Sequence, residues 1–308
     1  MGSVDIPLKD VWNSFFGGDV AEANERIVKN IRLNKSIVAM LSGAALSVSG
    51  LQMQTVFRNP LAGPYVLGIS SGASLGVALF ILGLPLFGLS ISQIPFGMAG
   101  AAWLGSALIL LIIGVASQRI KDIMVILILG IMFSSGVSAV VQILQYLSHE
   151  DALKAFVIWT MGSLGEVTST QLYVLAGAVG AGLILAIATI KPLNLLLLGD
   201  DYAESMGLNL KSSRSLIFLS TTLLAGTVTA FCGPIGFVGM AIPHVARMTF
   251  ANSDHRILLP ATIFLGALIL IICDIVSKTL VLPINAIAAM LGIPIIIFVV
   301  LRNKAITV

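Results

Sequence analysis

A run of 60 residues without Lys, Arg, Asp or Glu lies between Arg58 and Arg119. A soluble domain needs charged side chains to cover its surface, so a run of this length belongs in lipid. About 20 apolar residues cross a hydrocarbon core roughly 30 Å thick. The run therefore holds two membrane spans, and the break between them is predicted from Gly83-Leu84-Pro85 through Pro95.

The composition of the whole chain agrees, with 57% hydrophobic and 10% charged residues among 308. Continuous apolar runs, in place of alternating polar and apolar residues, predict an all-α polytopic bundle and exclude a barrel. We interpret residues 1–308 as one transmembrane domain. The net charge of +3 is too small to imply a nucleic-acid partner. Cys232 and Cys273 lie in apolar stretches without a ligand pattern and are interpreted as core residues.

Charge-free runs and Pro/Gly positions predict nine spans. They cover residues 36–57, 65–83, 94–116, 123–147, 171–190, 215–231, a shorter Pro-broken descent from Gly233-Pro234 through Pro243, 258–280 and 284–301. Residues 1–35 form an external segment, in which Trp12, Phe15 and Phe16 indicate an interfacial amphipathic turn. Residues 191–212 are polar enough to leave the membrane.

The basic residues set the orientation. Ten of the seventeen lie in loops that we assign to the cytoplasm: Arg58, Arg119, Lys121, Lys191, Lys211, Arg214, Arg247, Arg256, Arg302 and Lys304. Beyond residue 35, only Lys154 and Lys278 fall on the other face, so the positive-inside rule places the C-terminus inside. Nine spans then put the basic residues of 1–35 outside. Either those residues have a role on the outer face, or the count is wrong by one.

Four motifs occur in order along the chain. They are Gly50-Leu-Gln-Met-Gln-Thr-Val-Phe-Arg-Asn-Pro-Leu-Ala62 with Val66-Leu-Gly-Ile-Ser-Ser-Gly-Ala73, then Leu197-Leu-Gly-Asp-Asp-Tyr-Ala-Glu-Ser-Met-Gly-Leu208, then Gly233-Pro-Ile-Gly-Phe-Val-Gly239 with Ile242-Pro-His-Val-Ala-Arg247, and Ser253-Asp-His-Arg256 with Leu259-Pro260. The residues that carry them most clearly are Arg58, Asn59, Pro60, Gly233, Pro234, Gly236 and Pro243. Together they resemble the permease subunits of type II ABC importers for cobalamin, haem and ferric siderophores.

The chain departs from this family in two places. Members usually have ten spans, and this sequence begins just after the first, so 1–35 corresponds to the external stretch that follows it. An internal start, a truncated sequence or a natural nine-span variant would each account for this. The family also has Arg-Leu-Pro-Arg where Arg32-Leu-Asn-Lys35 stands here. Lysine keeps the charge but loses the planar bidentate fork of arginine.

The resemblance implies a homodimer of permeases in the bacterial inner (plasma) membrane, surrounded by lipid. It implies two ATPase subunits on the cytoplasmic face, a substrate-binding protein on the outer face, and alternating access. No Gly-x-x-x-x-Gly-Lys-[Ser/Thr] phosphate loop occurs in the sequence, so ATP is used by the partner subunits. The chain itself is expected to bind no cofactor and no metal, and to be a transport subunit without enzyme activity.

The resemblance also assigns residues to roles. Binding-protein docking falls on Arg32, Lys35 and Lys278, for which the alternative is anchoring to lipid phosphates. ATPase coupling falls on Leu198, Gly199, Asp200, Ala203, Glu204, Met206 and Gly207, for which the alternative is a solvated loop. In this segment Asp200, Asp201 and Glu204 would expose charge, and Ala203, Met206 and Leu208 would offer an apolar face.

The translocation path is placed along span 123–147, at Ser134, Ser138 and Gln142, although such residues also act as interhelical hydrogen-bond donors. His244 and Arg247 lie where a gate would be, but a structural histidine bonded to backbone carbonyls near Pro243 is the more frequent case.

Asp274 lies within an apolar span, one turn before Lys278, so a structural ion pair is the simplest interpretation and gating is the alternative. The rival function is an ion-coupled secondary transporter built around the helix breaks at Gly233-Pro234 and Pro294. Asp274 is its one clear intramembrane acid. A membrane enzyme would need a nucleophile or metal constellation, which the sequence lacks.

Overall fold

The computed structural model describes residues 6–86, 97–120 and 122–304, and throughout these ranges the regular structure is helical. In chain order the helices are α1 (Leu8–Phe16), α2 (Glu22–Val56), α3 (Ile69–Gly83), α4 (Gly97–Arg119), α5 (Ile123–Leu147), α6 (Glu150–Thr160), α7 (Ser169–Ala188), α8 (Ile190–Leu196), α9 (Asp200–Ser205), α10 (Leu210–Cys232), α11 (Val238–Phe250), α12 (His255–Leu280) and α13 (Ile284–Lys304). The predicted all-α bundle is confirmed.

Six helices of the described ranges are long and apolar enough to cross a membrane: α2, α4, α5, α7, α10 and α12. α3 and α13 contain shorter apolar stretches. α11, the predicted descent, has 13 residues, which rise about 20 Å as a helix and fall short of the hydrocarbon core. The count of nine spans therefore stays a prediction.

Side-chain caps explain where several spans begin. Asp122 accepts a hydrogen bond from the Met124 N–H at 2.8 Å, and α5 matches the predicted span 123–147. Thr168 and Gln171 form a capping box, so α7 starts two residues before the predicted 171. Asp254 caps α12, which starts three residues before the predicted 258. The apolar pattern located these helices, and the caps fixed their ends.

The N-terminal region is more helical than predicted. α2 begins at Glu22 and not at residue 36, and its turns from Ile27 to Leu33 are π-helical. Two i,i+4 pairs, Glu22 with Arg26 and Glu25 with Lys29, support this extension. The predicted amphipathic turn is α1, where the rings of Trp12 and Phe16 stack at 4.3 Å. Its place at a membrane interface stays a prediction.

The two predicted helix breaks have different outcomes. Helix continues past Gly83 through Leu84–Leu86, and residues 87–96, where the rest of this break was predicted, lie outside the described residues. The break at Gly233-Pro234 is confirmed, because Gly233 ends α10 with a φ of 75°. The amide of Asn285 then accepts a hydrogen bond from the Gly236 N–H at 2.9 Å, which satisfies backbone exposed by the break.

α2 is the centre of the bundle. Every residue from Ser42 to Val56 is buried. A Cβ atom on Gly43 would overlap the carbonyl of Gly266 on α12, and one on Gly50 would overlap that of Gly239 on α11. Only glycine allows the backbones to come this close, as expected for helix packing in lipid.

The Gly72-x-x-x-Gly76 motif makes a second close contact. Gly72 faces the backbone of Gly105 on α4, and Gly76 faces that of Ala101. α3 and α4 therefore pack as a pair, with the close backbone approach that small residues at this spacing allow.

Candidate coupling, docking and pathway sites

We call residues 190–210 the coupling segment; it contains α8 and α9 and lies at the end of the bundle where α2 ends. Asp200 begins α9, after Gly199 with a φ of 104°. Its carboxylate accepts a hydrogen bond from the buried Arg214 guanidinium at 2.8 Å. The Arg58 guanidinium lies 3.5 Å from the same carboxylate. Asp200 is 23% exposed, less than predicted, because Arg214 of α10 and Arg58 of the loop after α2 hold its carboxylate.

Ala203 also needs a correction. It is fully buried against Leu193 and Leu196, so it cannot contribute to the predicted apolar face. Ala203 lies on the side of α9 that faces the core, where a small residue lets the short helix pack closely.

Three apolar side chains of the coupling segment are more than half exposed: Leu198, Tyr202 and Met206. Tyr202 was missed by the sequence analysis. Asp201 and Glu204 are exposed beside them, as predicted, and Leu208 is partly buried. Gly207 turns the chain with a φ of 85°. The segment thus exposes two aliphatic side chains, Leu198 and Met206, and the Tyr202 ring, flanked by acidic charge.

A cleft of about 550 Å³ separates the coupling segment from the α4–α5 turn. Its charged lining residues are Arg58, Asp122, Asp200, Asp201, Glu204, Lys211 and Arg214. The cleft therefore has mixed charge, without a pattern that selects one kind of ligand.

A set of residues that we call the inner polar cluster ties α8 to the ends of α2 and α12. The Asn194 amide group donates to Asp254 at 2.6 Å, and its oxygen accepts from the His255 backbone N–H at 2.9 Å and lies 2.7 Å from His255 Nδ1. On the other side of the ring, Nε2 lies 2.9 Å from the Thr55 hydroxyl. His255 is fully buried, and both of its ring nitrogens have partners.

The same cluster explains one pKa shift. The pKa of the Asp254 carboxyl lies below its ordinary value because it accepts hydrogen bonds from the Arg256 backbone N–H and from the Asn194 amide. Both bonds favour the ionised form.

His244 and Arg247, the candidate gate residues, lie against α2 and the loop that follows it. The His244 ring Nε2 donates to the Pro60 carbonyl at 2.7 Å, and Arg247 donates to the Gln54 side chain at 2.7 Å. The Gln54 amide group in turn donates to the Met240 carbonyl at 2.9 Å. The prediction of a carbonyl partner near Pro243 is wrong, because His244 bonds the Pro60 carbonyl in the loop that follows α2. A structural bond to backbone is nevertheless present.

Gln52, another residue that the sequence analysis gave no role, joins α2 to α10 and to the junction between α7 and α8. Its amide group donates to Ser220 at 3.0 Å and to Thr189 at 3.3 Å, and its oxygen accepts from Thr221 at 3.0 Å. The available signal was a glutamine within an apolar span, which must find partners because lipid offers none.

At the other end of the bundle, Asp274 binds two lysines, which with it we call the outer ion cluster. Its carboxylate lies 2.9 Å from the Lys278 amine and 3.0 Å from that of Lys35. The Asp274–Lys278 pair was predicted, whereas the participation of Lys35 was not. Their side chains are 8% to 26% exposed, and both predicted docking lysines share the one carboxylate. Arg32 lies one turn before Lys35 on α2.

α5, the predicted pathway helix, is the least buried of the six candidate spans. Ser138 and Gln142 are exposed, and Ser134 is partly buried. The hydroxyls of Ser134 and Ser138 donate to carbonyls one turn earlier in their own helix, each at 2.8 Å. The alternative interpretation predicted that these hydroxyls join α5 to a neighbouring helix, but among the described residues the bonds of both stay within α5. A broad face of α5 therefore has no covering from the rest of the described chain.

A bundle of apolar helices around a buried central helix, with α5 as its least buried span and a charged amphipathic segment at one end, fits a membrane permease. The sequence comparisons place it more closely. The FecCD transport family matches residues 1–302. The hemin transport system permease HmuU of Yersinia pestis is 35% identical in an alignment of 309 residues in length. The alignment covers 99% of this chain and 90% of that protein.

The vitamin B12 import system permease BtuC of Salmonella newport is 33% identical, over 93% of this chain and 87% of its own length. A solved structure of a metal-chelate type ABC transporter, in an inward-facing conformation, superposes with a TM-score of 0.82 at 30% identity. The superposition covers 94% of this chain and 91% of the other.

The chain therefore belongs to the FecCD transport family, and the resemblance drawn from the four motifs is confirmed. It is a multi-pass inner-membrane permease of the ABC importer class, and it is a transport subunit and not an enzyme.

Proposed function

We propose that this permease imports a metal chelate, namely haem, cobalamin or a ferric siderophore, and that it works as a homodimer by alternating access. Two cytoplasmic ATPase subunits would drive it, and a substrate-binding protein would deliver the chelate to its outer face. The relatives named above transport hemin and vitamin B12, which supports this range of substrates.

The observation that carries the proposal is the uncovered face of α5. It combines exposed apolar side chains, among them Met132 and Ile143, with the polar Ser138 and Gln142. A second copy of the chain would cover the apolar part and leave the polar groups along an axis between the two copies. A large chelate would pass this weakly polar surface without being trapped by strong binding groups.

The coupling segment supports ATPase contact. Leu198, Tyr202 and Met206 form an exposed apolar face at the inner end, which suits an apolar groove on a partner. Asp200 fixes the segment to the bundle through Arg58 and Arg214, so movement of the segment would move the helices behind it.

The outer ion cluster supports docking. Two lysines and one aspartate leave one net positive charge beside Arg32. Carboxylates on a binding protein would meet this charge, and such pairs mostly set encounter rate and orientation.

The rival function, an ion-coupled secondary transporter, is not favoured. Its candidate coupling acid, Asp274, is held by two lysines at hydrogen-bond distance. A carboxylate so neutralised has no free charge with which to bind a coupling cation.

Reconstituted vesicles test the proposal. The permease, its cognate ATPase and its binding protein are combined, and uptake of haem, cobalamin and a ferric siderophore is measured with and without ATP. We expect uptake of one chelate class that requires ATP and both partners and that ionophores leave unchanged. Uptake by the permease alone, abolished by an ionophore, would contradict the proposal.

A further inference from the structure

α2 and α12 are joined by polar contacts at both ends and by glycine contacts in the middle. At the inner end, the Thr55 hydroxyl of α2 bonds the first residue of α12, His255. At the outer end, Lys35 of α2 pairs with Asp274 of α12. Between them, Gly43 and Gly266 bring the two backbones into contact. The two helices are thus held against sliding and separation along most of their shared length.

The distance between these contacts matches the membrane. Thr55 lies 20 residues from Lys35 along α2 and His255 lies 19 residues from Asp274 along α12, which correspond to about 30 Å and about 29 Å of helix. The hydrocarbon core is also about 30 Å thick. The inner polar cluster and the outer ion cluster therefore lie at opposite faces of the lipid, connected by one helix pair.

Leu193 and Leu196 of α8 pack against Met53 and Val56 of α2 in one buried cluster. Among the described residues, the hydrogen bonds from the coupling segment to the start of α12 come from one side chain, Asn194. Asn194 uses its oxygen for two donors of His255 and its amide group for Asp254. The other ion-pair attachment of the segment, through Asp200, leads to Arg214 on α10 and to Arg58 in the loop after α2. Of these attachments, Asn194 is the one that reaches α12.

We propose that Asn194 and Thr55, acting through His255, are positioning residues that fasten the coupling segment to a rigid α2–α12 pair. Through this helix pair, the nucleotide state of the ATPase at the inner face changes the affinity for the binding protein at the outer face. This inference rests on the proposed function, since it needs an ATPase partner inside and a binding protein outside. Because coupling between two sites is reciprocal, the binding protein would change nucleotide affinity by the same factor.

The test uses the assembled permease–ATPase complex in lipid nanodiscs. The Kd for the binding protein is measured with and without a non-hydrolysable ATP analogue, and the ratio of the two values reports the coupling. The variants are Thr55→Val, which removes the hydroxyl at nearly constant shape, Thr55→Ser, which retains it, and Asn194→Ala. We expect the ratio to fall toward one, by about fivefold or more, in Thr55→Val and Asn194→Ala, and to stay near the wild-type value in Thr55→Ser.

A matched control is available on α12 itself. Thr262 is fully buried, and its hydroxyl donates within its own helix, to the Leu259 carbonyl at 2.8 Å. Thr262→Val should therefore leave the coupling ratio unchanged. If Thr55→Val fails to assemble, Asn194→Ala supplies the result, because Asn194 is only partly buried.

Two results would overturn the inference. One is a wild-type coupling ratio in both Thr55→Val and Asn194→Ala, in complexes that still import chelate with ATP. The other is an equal loss in Thr55→Ser and Thr55→Val, which would assign the effect to packing and not to the hydrogen bond. Absence of ATP-dependent uptake in the wild-type complex would instead contradict the proposed function.

Discussion

α2 and α5 are both long apolar helices, yet their surroundings differ completely. Every residue of α2 from Ser42 to Val56 is buried, and its two glutamines, Gln52 and Gln54, bond groups on other helices. Most of α5 is exposed, and the hydroxyls of Ser134 and Ser138 bond their own backbone.

The difference distinguishes polar side chains that hold the bundle together from polar side chains that are available for function. A polar group in the centre of a membrane bundle holds helices together, because lipid provides no alternative partner. A polar group on an uncovered span is available to something outside the chain, which by our proposal is a second copy and the chelate that passes between the copies.

Glycine substitutions should show the largest contrast. Gly50→Ala pushes a methyl group into the backbone of Gly239 and should lower stability by roughly 3 kcal/mol or more, since two backbones must separate. Gly136→Ala on α5 meets nothing within 4 Å and should stay within about 0.5 kcal/mol. Thermal unfolding of the purified permease in detergent measures both. Equal destabilisation by the two variants would contradict the difference in packing between α2 and α5.

Glutamine substitutions should show a smaller contrast. Gln52→Leu leaves Thr189, Ser220 and Thr221 without a shared partner, and should cost about 1–2 kcal/mol. Gln142→Leu removes an exposed amide on α5 and should leave the unfolding midpoint unchanged. A lower midpoint for Gln142→Leu than for Gln52→Leu would contradict the assignment of α2 as the scaffold.

A charge reversal at the outer end should slow association with the binding protein. Lys278→Glu changes the outer ion cluster from one net positive charge to one net negative charge. We expect the binding protein to associate about tenfold more slowly at low salt, with a smaller difference at high salt. Lys154→Glu, an exposed position on α6, is the control. Association rates that do not respond to Lys278→Glu would remove this lysine from the docking surface.

Much of the fold could be predicted because lipid imposes a simple length rule. Span 123–147 was found with both ends correct, since Asp122 stands at the boundary between charge and apolar sequence. The break at Gly233-Pro234 was found because a glycine followed by proline in the middle of a long apolar run interrupts a helix, and Gly233 has a positive φ in the structure.

The side-chain partnerships could not be predicted in the same way. Asp200 and Arg58 are 142 residues apart and Lys35 and Asp274 are 239 apart, so their pairing depends on how the helices pack. The inward direction of Ala203 depends on the rotation of α9, which a helix of six residues does not reveal through its pattern. The long α2 was missed because its first turns are polar and are held by local ion pairs.

The central claim is that two copies of this permease face each other across α5. Cys232 and Cys273 are buried, so after their replacement by Ala a bismaleimide cross-linker can report single positions in vesicles. Gln142→Cys on α5 should give a cross-linked dimer, whereas Leu104→Cys, 74% exposed on α4, should stay monomeric on a denaturing gel. A dimer from Leu104→Cys with none from Gln142→Cys would contradict the account.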